Sequence, residues 1–264
     1  MNRHKSGKQK DNLKTSKPDS LLISIITVVF NGSNTIEQTI LSVLNQPYKN
    51  IEYIIIDGGS TDGTIDIIRK YEDQIDLWIS EPDGGIYDAM NKGISYAKGE
   101  LIGIINSDDW YEKEIISNIV GIYNDSDKKT VIYGLIRNFR DEMFYSIKGN
   151  SISTLRYDMI QHPTCFIPKG IYEKYGTYDV KYKYCADYDL ILRYVNVGVN
   201  FKFMEQIIVN FRTGGKSSHN IADKEKYLIL KKYREISGLE AVSRIILLYC
   251  THFFKKIVGQ TNNG

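Results

Sequence analysis

The chain has 264 residues, of which 42% are hydrophobic, so it can bury the core of one large domain or of one domain with an appendage. Its formal net charge is only +2, and its three scattered cysteines exclude a disulfide framework and a zinc cluster. Since no stretch reaches the roughly 18 uninterrupted apolar residues of a membrane-spanning helix, we expect a soluble cytoplasmic body.

Residues 1–20 are basic and poor in apolar side chains. They carry six Lys or Arg residues against Asp11 and Asp19, and they lack the apolar centre of a secretory signal. Because such a composition buries too little surface to fold, we predict a disordered basic tail. No aromatic or base-reading pattern accompanies it, so we expect no nucleic-acid partner.

From residue 21 the chain alternates between strands and helices. Apolar runs predict strands over 22–29, 51–56, 77–80 and 101–105, with helices between them over 33–46, 65–71 and 86–97. Because these strands are apolar throughout, the pattern indicates an α/β fold with a mostly parallel sheet that is covered on both faces.

The second half of the sequence is less regular. It predicts strands over 130–136, 164–167 and 201–211 and a helix over 186–197. Residues 219–264 read as a helical extension, in which residues 239–258 are apolar with a basic end. This end segment either lies on a membrane interface, which places the protein peripherally on the inner face of the cell membrane, or packs on its own domain or a second subunit.

Polar residues follow the predicted strands at the points where these end. Asn31, Asp57 and Asp108 all occupy such positions, and ligands of parallel sheets bind at the carboxyl ends of the strands. Asp57 opens a glycine-rich turn that lacks the Gly-Lys-Ser/Thr ending of a phosphate loop. A tight turn with left-handed glycines would explain the spacing, but the carboxylate itself fits hydrogen bonds from a nucleobase or ribose.

The strongest chemical signal is the acidic cluster Asn106-Ser107-Asp108-Asp109, directly after an apolar strand. Carboxylates in such a place are costly unless a cation or a ligand compensates them. Their hard oxygen atoms suit Mg²⁺ or Mn²⁺, with phosphate oxygens completing the coordination. The alternative is a turn that caps a following helix over 112–123.

Four segments in chain order resemble the motifs of family 2 glycosyltransferases. They are Ser24 to Asn31, Asp57 to Thr64, Asp83 to Ile94 and Asn106 to Asp109, and the resemblance covers roughly residues 21–215. It implies a GT-A fold over residues 21–218, which is a three-layer α/β/α domain. It also implies a nucleotide-sugar donor, a divalent cation (Mn²⁺ or Mg²⁺) and inversion at the anomeric carbon.

The resemblance assigns roles to single residues. Asp108 is the first choice for the metal ligand and Asp109 the second, and Asn106 contacts the ribose. Met90 stands where many relatives carry Arg, so a cationic contact to the donor is either absent or supplied by Lys92. The nucleotide side of the site is implied to consist of Thr27, Phe30, Asn31, Asp57, Asp83, Asn91, Asn106 and Ser107.

The second half contributes the predicted base and several basic residues. Cys185 to Arg193 resembles the segment that carries the family's catalytic Asp, which makes Asp187 the predicted base, with Ala186 where the family has Glu. A structural Asp at a helix start is the alternative, and Asp189 is interpreted as a cap or as a partner of Arg193. The candidates for contacts with the acceptor or the diphosphate are His162, Arg212 and Lys216; a structural His and a solvated basic loop are their alternatives.

These signals predict a metal-dependent inverting glycosyltransferase of the hexosyl or N-acetylhexosaminyl class. The donor is expected to be a UDP-sugar, and the acceptor a hydroxyl of a cell-surface polysaccharide or a lipid-linked glycan. An inactive nucleotide-sugar-binding subunit is one alternative. A sugar nucleotidyltransferase is another, although Phe30 to Asn34 replaces the Gly- and Arg-rich loop of that class. The sequence leaves an oligomer open.

Overall fold

A computed structural model describes residues 6–9, 20–140, 142–156, 158–213 and 219–248. The strands are β1 (Ser6–Gln9), β2 (Ile23–Val29), β3 (Ile51–Asp57), β4 (Leu77–Ser80), β5 (Leu101–Asn106), β6 (Trp110–Tyr111), β7 (Thr130–Arg140), β8 (Met143–Lys148), β9 (Phe166–Pro168) and β10 (Asn200–Arg212). The helices are α1 (Ile36–Leu44), α2 (Thr64–Lys70), α3 (Ile86–Tyr96), α4 (Ile115–Asn124), α5 (Lys169–Tyr175), α6 (Ala186–Asn196), α7 (His219–Lys232) and α8 (238–248).

One sheet runs through the whole structure, in the order β1-β4-β3-β2-β5-β9-β7-β10-β6, and β8 adds to β7 as a hairpin. The four strands of the first half, β4, β3, β2 and β5, are parallel neighbours, as are β7 and β10. Strands β1, β6, β8 and β9 pair antiparallel to their neighbours. Most paired residues therefore lie in parallel ladders, as the apolar strands predicted.

Helices cover both faces of this sheet, because side chains of a strand alternate between its two sides. In β2, Ile26 and Val28 point into a core shared with α3, α5, α6 and α7. Ile23, Ile25 and Val29 point into a second core shared with α1, α2 and α4. The predicted three-layer α/β/α architecture is confirmed.

The structure adds elements that the sequence did not predict. The short strand β6 follows the acidic cluster directly, the hairpin strand β8 is exposed along its length, and α5 follows β9. Of the predicted basic tail, Ser6–Gln9 pairs with β4, and residues 1–5 and 10–19 lie outside the described residues. Among the residues that the structure describes, no helix has the length and apolar character needed to cross a membrane.

Candidate active site

The carboxyl ends of the four parallel strands form one edge of the sheet. Val29 pairs with Asp57, Asp57 pairs with Ser80, and Val28 pairs with Asn106. The loops after β2, β3, β4 and β5 therefore start side by side. This edge carries most of the residues that the sequence singled out.

Asp57 organises the glycine-rich turn that follows β3. Its fully buried carboxylate accepts hydrogen bonds from the Gly59 and Ser60 amides (3.0 and 2.9 Å) and from the Ser80 hydroxyl (2.6 Å). The Ser60 hydroxyl donates to its other oxygen. All these donors come from the protein itself, so in this structure Asp57 holds the turn together and joins β3 to β4.

Asn31 ties the first loop to this turn. Its backbone is left-handed (φ 53°), its amide donates to the Ser60 hydroxyl (2.7 Å), and its side-chain oxygen accepts from the Thr61 amide (2.9 Å). Next to it, the Phe30 side chain is 65% exposed. Asn31 thus builds the edge, whereas the aromatic face of Phe30 is open to a ligand.

Thr27 does not line this surface. Its side chain is fully buried, and its hydroxyl forms a 3.0 Å hydrogen bond with that of Tyr53. The residue lies inside β2 and faces the core on the α1 side of the sheet, because Ile25 and Val29 share that face with it. The Thr27 side chain therefore has no exposed surface in this structure, and its place at a nucleobase pocket stays a prediction.

Asp83 lies over the glycine-rich turn from the loop after β4. A side chain at Gly58 would approach its carboxylate to 2.7 Å, so the glycine makes room for it. Burial raises the pKa of Asp83, while a hydrogen bond from the Gly85 amide (2.9 Å) acts against that shift. Lys92, the predicted substitute cation, forms an ion pair with Glu81 at 2.9 Å.

Asn91 serves the protein framework. Its side chain forms two hydrogen bonds with the main chain of Tyr178, donating to the carbonyl at 2.8 Å and accepting from the amide at 2.9 Å. This pair anchors α3 to the loop that precedes α6. Each polar atom of the side chain has one protein partner, so the predicted contact of Asn91 with the nucleotide would use the second N–H or the second lone pair.

The acidic cluster divides into one open and one enclosed carboxylate. Asp108 is partly exposed, and burial raises the pKa of its carboxyl. Asp109 is fully buried and accepts from the Arg212 amide (3.2 Å) and from the Asn106 side chain (3.4 Å). Burial and the neighbouring Asp108 raise the pKa of Asp109 well above its usual range. Asp109 therefore stabilises the turn of the acidic cluster in this structure, and its role as a second metal ligand stays a prediction.

The alternative of a simple helix cap is wrong for this cluster. Strand β6 stands between it and α4, and that helix begins after Glu114, whose backbone is left-handed. Thr39 of α1 holds the turn from below by donating to the carbonyls of Ser107 (3.0 Å) and Asp109 (2.6 Å). The turn is thus fixed by the fold and presents Asp108 at the strand end.

Arg212 comes to the cluster from the end of β10. Its guanidinium donates to the Asp108 carbonyl (2.7 Å) and to Glu142 (2.7 Å), and it lies over the Trp110 ring at 4.6 Å. The predicted basic residue therefore stands beside the acidic corner. Lys216, predicted in the same loop, lies outside the described residues.

Asp187 lies in the first turn of α6 and contacts Tyr87 of α3, which belongs to the segment from Asp83 to Ile94, here called the donor-side motif. The Tyr87 hydroxyl is 3.0 Å from its carboxylate and 2.9 Å from the Tyr184 carbonyl. Burial raises the pKa of Asp187 to about 6, against the hydrogen bonds from the Tyr188 amide (2.9 Å) and from Tyr87. A carboxyl with such a pKa is suited to accept a proton near neutral pH.

Two other predicted residues have structural partners. His162 is buried against the Tyr178 ring (5.6 Å between centroids), and burial lowers its pKa to about 4. Asp189 is buried and pairs with Arg193 at 3.7 Å, as predicted, but more closely with Lys232 of α7 at 2.6 Å. Their burial supports the structural interpretations.

Sequence reasoning missed two residues at this site. Tyr87 lies inside the segment from Asp83 to Ile94. It is four residues from Asp83 along the chain, which was a usable signal that the site extends to the start of α3. Glu225 of α7 binds the loop before α6, with hydrogen bonds to the Tyr184 and Cys185 amides (2.8 and 3.0 Å). No local pattern around Glu225 indicated this contact.

Solved structures share this architecture at low sequence identity. TarS of S. aureus, in complex with UDP-GlcNAc, superimposes with a TM-score of 0.65 at 15% identity, covering 88% of this chain and 73% of that one. The mannosyltransferase PcManGT from Pyrobaculum calidifontis, in complex with GDP-Man and Mn²⁺, gives 0.63 at 14% identity, covering 87% and 69%. The fold is that of the GT-A glycosyltransferases.

Sequence relatives give the family. The chain matches Glycosyl transferase family 2 over residues 24–183, and it belongs to that family. An uncharacterized glycosyltransferase of Rickettsia typhi is 33% identical over 217 residues, which are 77% of this chain and 67% of the relative. A PGL/p-HBAD biosynthesis glycosyltransferase of Mycobacterium bovis is 26% identical over 210 residues, with coverage of 77% and 82%.

Proposed function

We propose that this glycosyltransferase moves a sugar from a UDP-sugar to an acceptor hydroxyl with inversion at the anomeric carbon. The observation that carries the proposal is the Asp187 carboxylate, whose pKa burial raises to about 6 and which Tyr87 joins to the donor-side motif. In this proposal Asp187 takes the proton of the acceptor hydroxyl while the oxygen attacks the anomeric carbon. The bond to the nucleoside diphosphate breaks on the opposite face of the sugar.

The acidic cluster, Asn106 to Asp109, suits a divalent cation. The Asp108 residue is partly exposed, and the Asn106 side-chain oxygen is buried without a hydrogen-bond partner in the described part of the chain. No group of three or more acidic, His or Cys side chains collects there within the described ranges, so phosphate oxygens and water would complete the shell, as is usual for Mg²⁺. When bound, the cation would offset the charge of the departing diphosphate.

The nucleotide has a matching surface at the neighbouring strand ends. The exposed Phe30 ring offers a face on which a base can stack, and Asp83 lies close by over Gly58. Arg212, beside Asp108, is placed to contact a phosphate group, and a bidentate contact would replace its pair with the exposed Glu142. We propose these three side chains as donor contacts and a hydroxyl of a cell-surface or lipid-linked glycan as the acceptor.

A thermal-shift screen tests the donor and the metal together. We expect UDP and UDP-sugars to raise the melting temperature more with Mn²⁺ than without it, and GDP-Man serves as the competing donor class. With the donor that gives the largest shift, Asp187→Asn should abolish transfer and spare the shift, while Asp66→Asn on exposed α2 should change neither. Near-normal turnover in Asp187→Asn would refute the assignment of the base. Donor binding without any transfer or donor hydrolysis would support the inactive-subunit alternative.

A peripheral membrane contact is a second proposal for the end of the chain. Helix α8 exposes Leu239 (86%), Val242, Ile246 and Leu247, an apolar set that suits the membrane interface. In flotation with anionic vesicles, Leu247→Ser should weaken binding of the full chain, whereas Ser243→Ala should not. Equal partition of both variants and the wild type would exclude this contact.

A further inference from the structure

Glu225 of α7 binds the segment that leads into α6. One carboxylate oxygen accepts from the Lys183 amide (2.9 Å), and the other accepts from the amides of Tyr184 (2.8 Å) and Cys185 (3.0 Å). Three consecutive backbone donors thus converge on one side chain that lies 40 residues or more further along the chain. Asp187 follows this segment within the first turn of the helix.

Helix α7 also holds the other side of that first turn. Lys232 donates to the buried carboxylate of Asp189 at 2.6 Å, and Tyr233, just after α7, donates to the same oxygen at 3.1 Å. The thiol of Cys185 donates to the Ala222 carbonyl at 3.2 Å. The start of α6 is therefore fixed at both ends of its first turn by the segment that the sequence marked as an extension.

We propose that Glu225 is a positioning residue for the Asp187 carboxylate, which makes α7 part of the catalytic centre. The inference rests on the proposed function, since it assumes that Asp187 is the base. Glu225 fixes the three amides before the helix, and the Tyr87 hydroxyl spans the Tyr184 carbonyl and the Asp187 carboxylate. The same segment thus sets both the place of the base and one of its hydrogen-bond donors.

The charge of Glu225 also acts on Asp187. Like charges favour the protonated form of a carboxyl, and Glu225 adds to the burial that raises the pKa of Asp187. The groups that face Asp187 are Tyr87 from α3, Cys165 before β9, Tyr178 and Cys185 from the loops around α6, and Glu225 from α7. Glu225 is the one carboxyl side chain among these five.

The test separates the reach of Glu225 from its charge. Glu225→Gln keeps the length and removes the charge, Glu225→Asp keeps the charge and shortens the reach, and Glu235→Gln removes a carboxylate from the same region as a control. Each full-length variant is assayed across pH with the nucleotide sugar that gives the largest thermal shift with Mn²⁺. Carbon NMR of the Asp187 carboxyl, assigned with Asp187→Asn, follows its titration without substrate.

We expect the acidic limb of kcat and the NMR titration to move down by roughly 0.5–1 pH unit in Glu225→Gln, because a like charge is removed. Glu225→Asp should lower the plateau value of kcat by about 10²-fold, because the Asp187 carboxylate is then misplaced. The acidic limb of its pH profile should stay at the pH of the wild type. Glu235→Gln should match the wild type in both.

Two results would overturn the inference. One is a Glu225→Gln variant whose acidic limb and NMR titration both coincide with those of the wild type. The other is full activity in Glu225→Asp. Should Glu225→Gln fail to fold, Glu225→Asp still decides on reach. An active Asp187→Asn would instead refute the proposed base, while the NMR titration would still report whether Glu225 acts on Asp187.

Discussion

Asp57→Asn is the sharpest test of how the edge at the carboxyl ends of the four parallel strands is stabilised. In the wild type one carboxylate oxygen accepts from Gly59, Ser60 and Ser80 at 2.6–3.0 Å. A hydrogen bond to a charged group contributes about 1.5–3 kcal/mol and a neutral one about 0.5–1.5 kcal/mol. Loss of the charge should therefore weaken these three bonds by about 1 kcal/mol each, or about 3 kcal/mol in total.

For a chain of this size, about 3 kcal/mol corresponds to a melting temperature about 6–12 °C lower, measured by circular dichroism without ligand. Asp66→Asn is the matched control, because its side chain is 81% exposed and its pair with Arg69 is a surface ion pair. It should melt within about 1 °C of the wild type. If Asp57→Asn also melted within about 1 °C of the wild type but no longer bound UDP, the Asp57 carboxylate would serve to bind the nucleobase. Its assignment as an organiser of the turn would then be refuted.

Three further outcomes follow from the site. Transfer should be flat above pH 6 and fall about tenfold per pH unit below it, because Asp187 must be deprotonated and burial raises its pKa to about 6; a profile flat down to pH 4.5 would contradict this. Asn91→Ala should lower the free energy of unfolding in urea by about 1–3 kcal/mol, since two hydrogen bonds to the Tyr178 main chain disappear; an unchanged urea midpoint would show that the anchor is unimportant. Asp108→Asn should remove the Mn²⁺-dependent part of the stabilisation by UDP and leave the ligand-free protein about as stable as before, because burial disfavours the charged form of Asp108 and a neutral amide of the same shape should cost little; Asp109→Ala, by contrast, should melt earlier without ligand.

The sheet and its polar edge could be predicted because their signals are local. Apolar strands and turn residues repeat at short spacing, so the positions of Asn31, Asp57 and Asp108 at the ends of strands followed from the sequence. The resemblance ranked Asp108 above Asp109 as the metal ligand, but the sequence did not indicate that Asp109 is the enclosed one. Adjacent residues in a turn point in different directions, and only the partner from β10 decides which of them is enclosed.

Residues that act over long chain distances escaped the sequence analysis for the same reason. The resemblance implied a nucleobase contact for Thr27, but it did not indicate that the hydroxyl pairs with Tyr53 inside the sheet. Glu225 carries no motif, and its partners lie about 40 residues earlier. Tertiary packing alone brings such groups together, and a single sequence does not record it.

The contact between Arg212 and the acidic cluster bears on when this cluster can assemble during synthesis of the chain. Arg212 and Asp109, whose amide and carboxylate form a hydrogen bond, are 103 residues apart in the sequence, and within the described ranges the partner strand of β6 is β10. A nascent chain that has emerged as far as α4 therefore contains the four parallel strands of the first half. It still lacks Arg212 and β10, which are the partners of Asp109 and β6. Ribosome-bound intermediates should therefore gain affinity for Mn²⁺ with UDP only after β10 has left the exit tunnel.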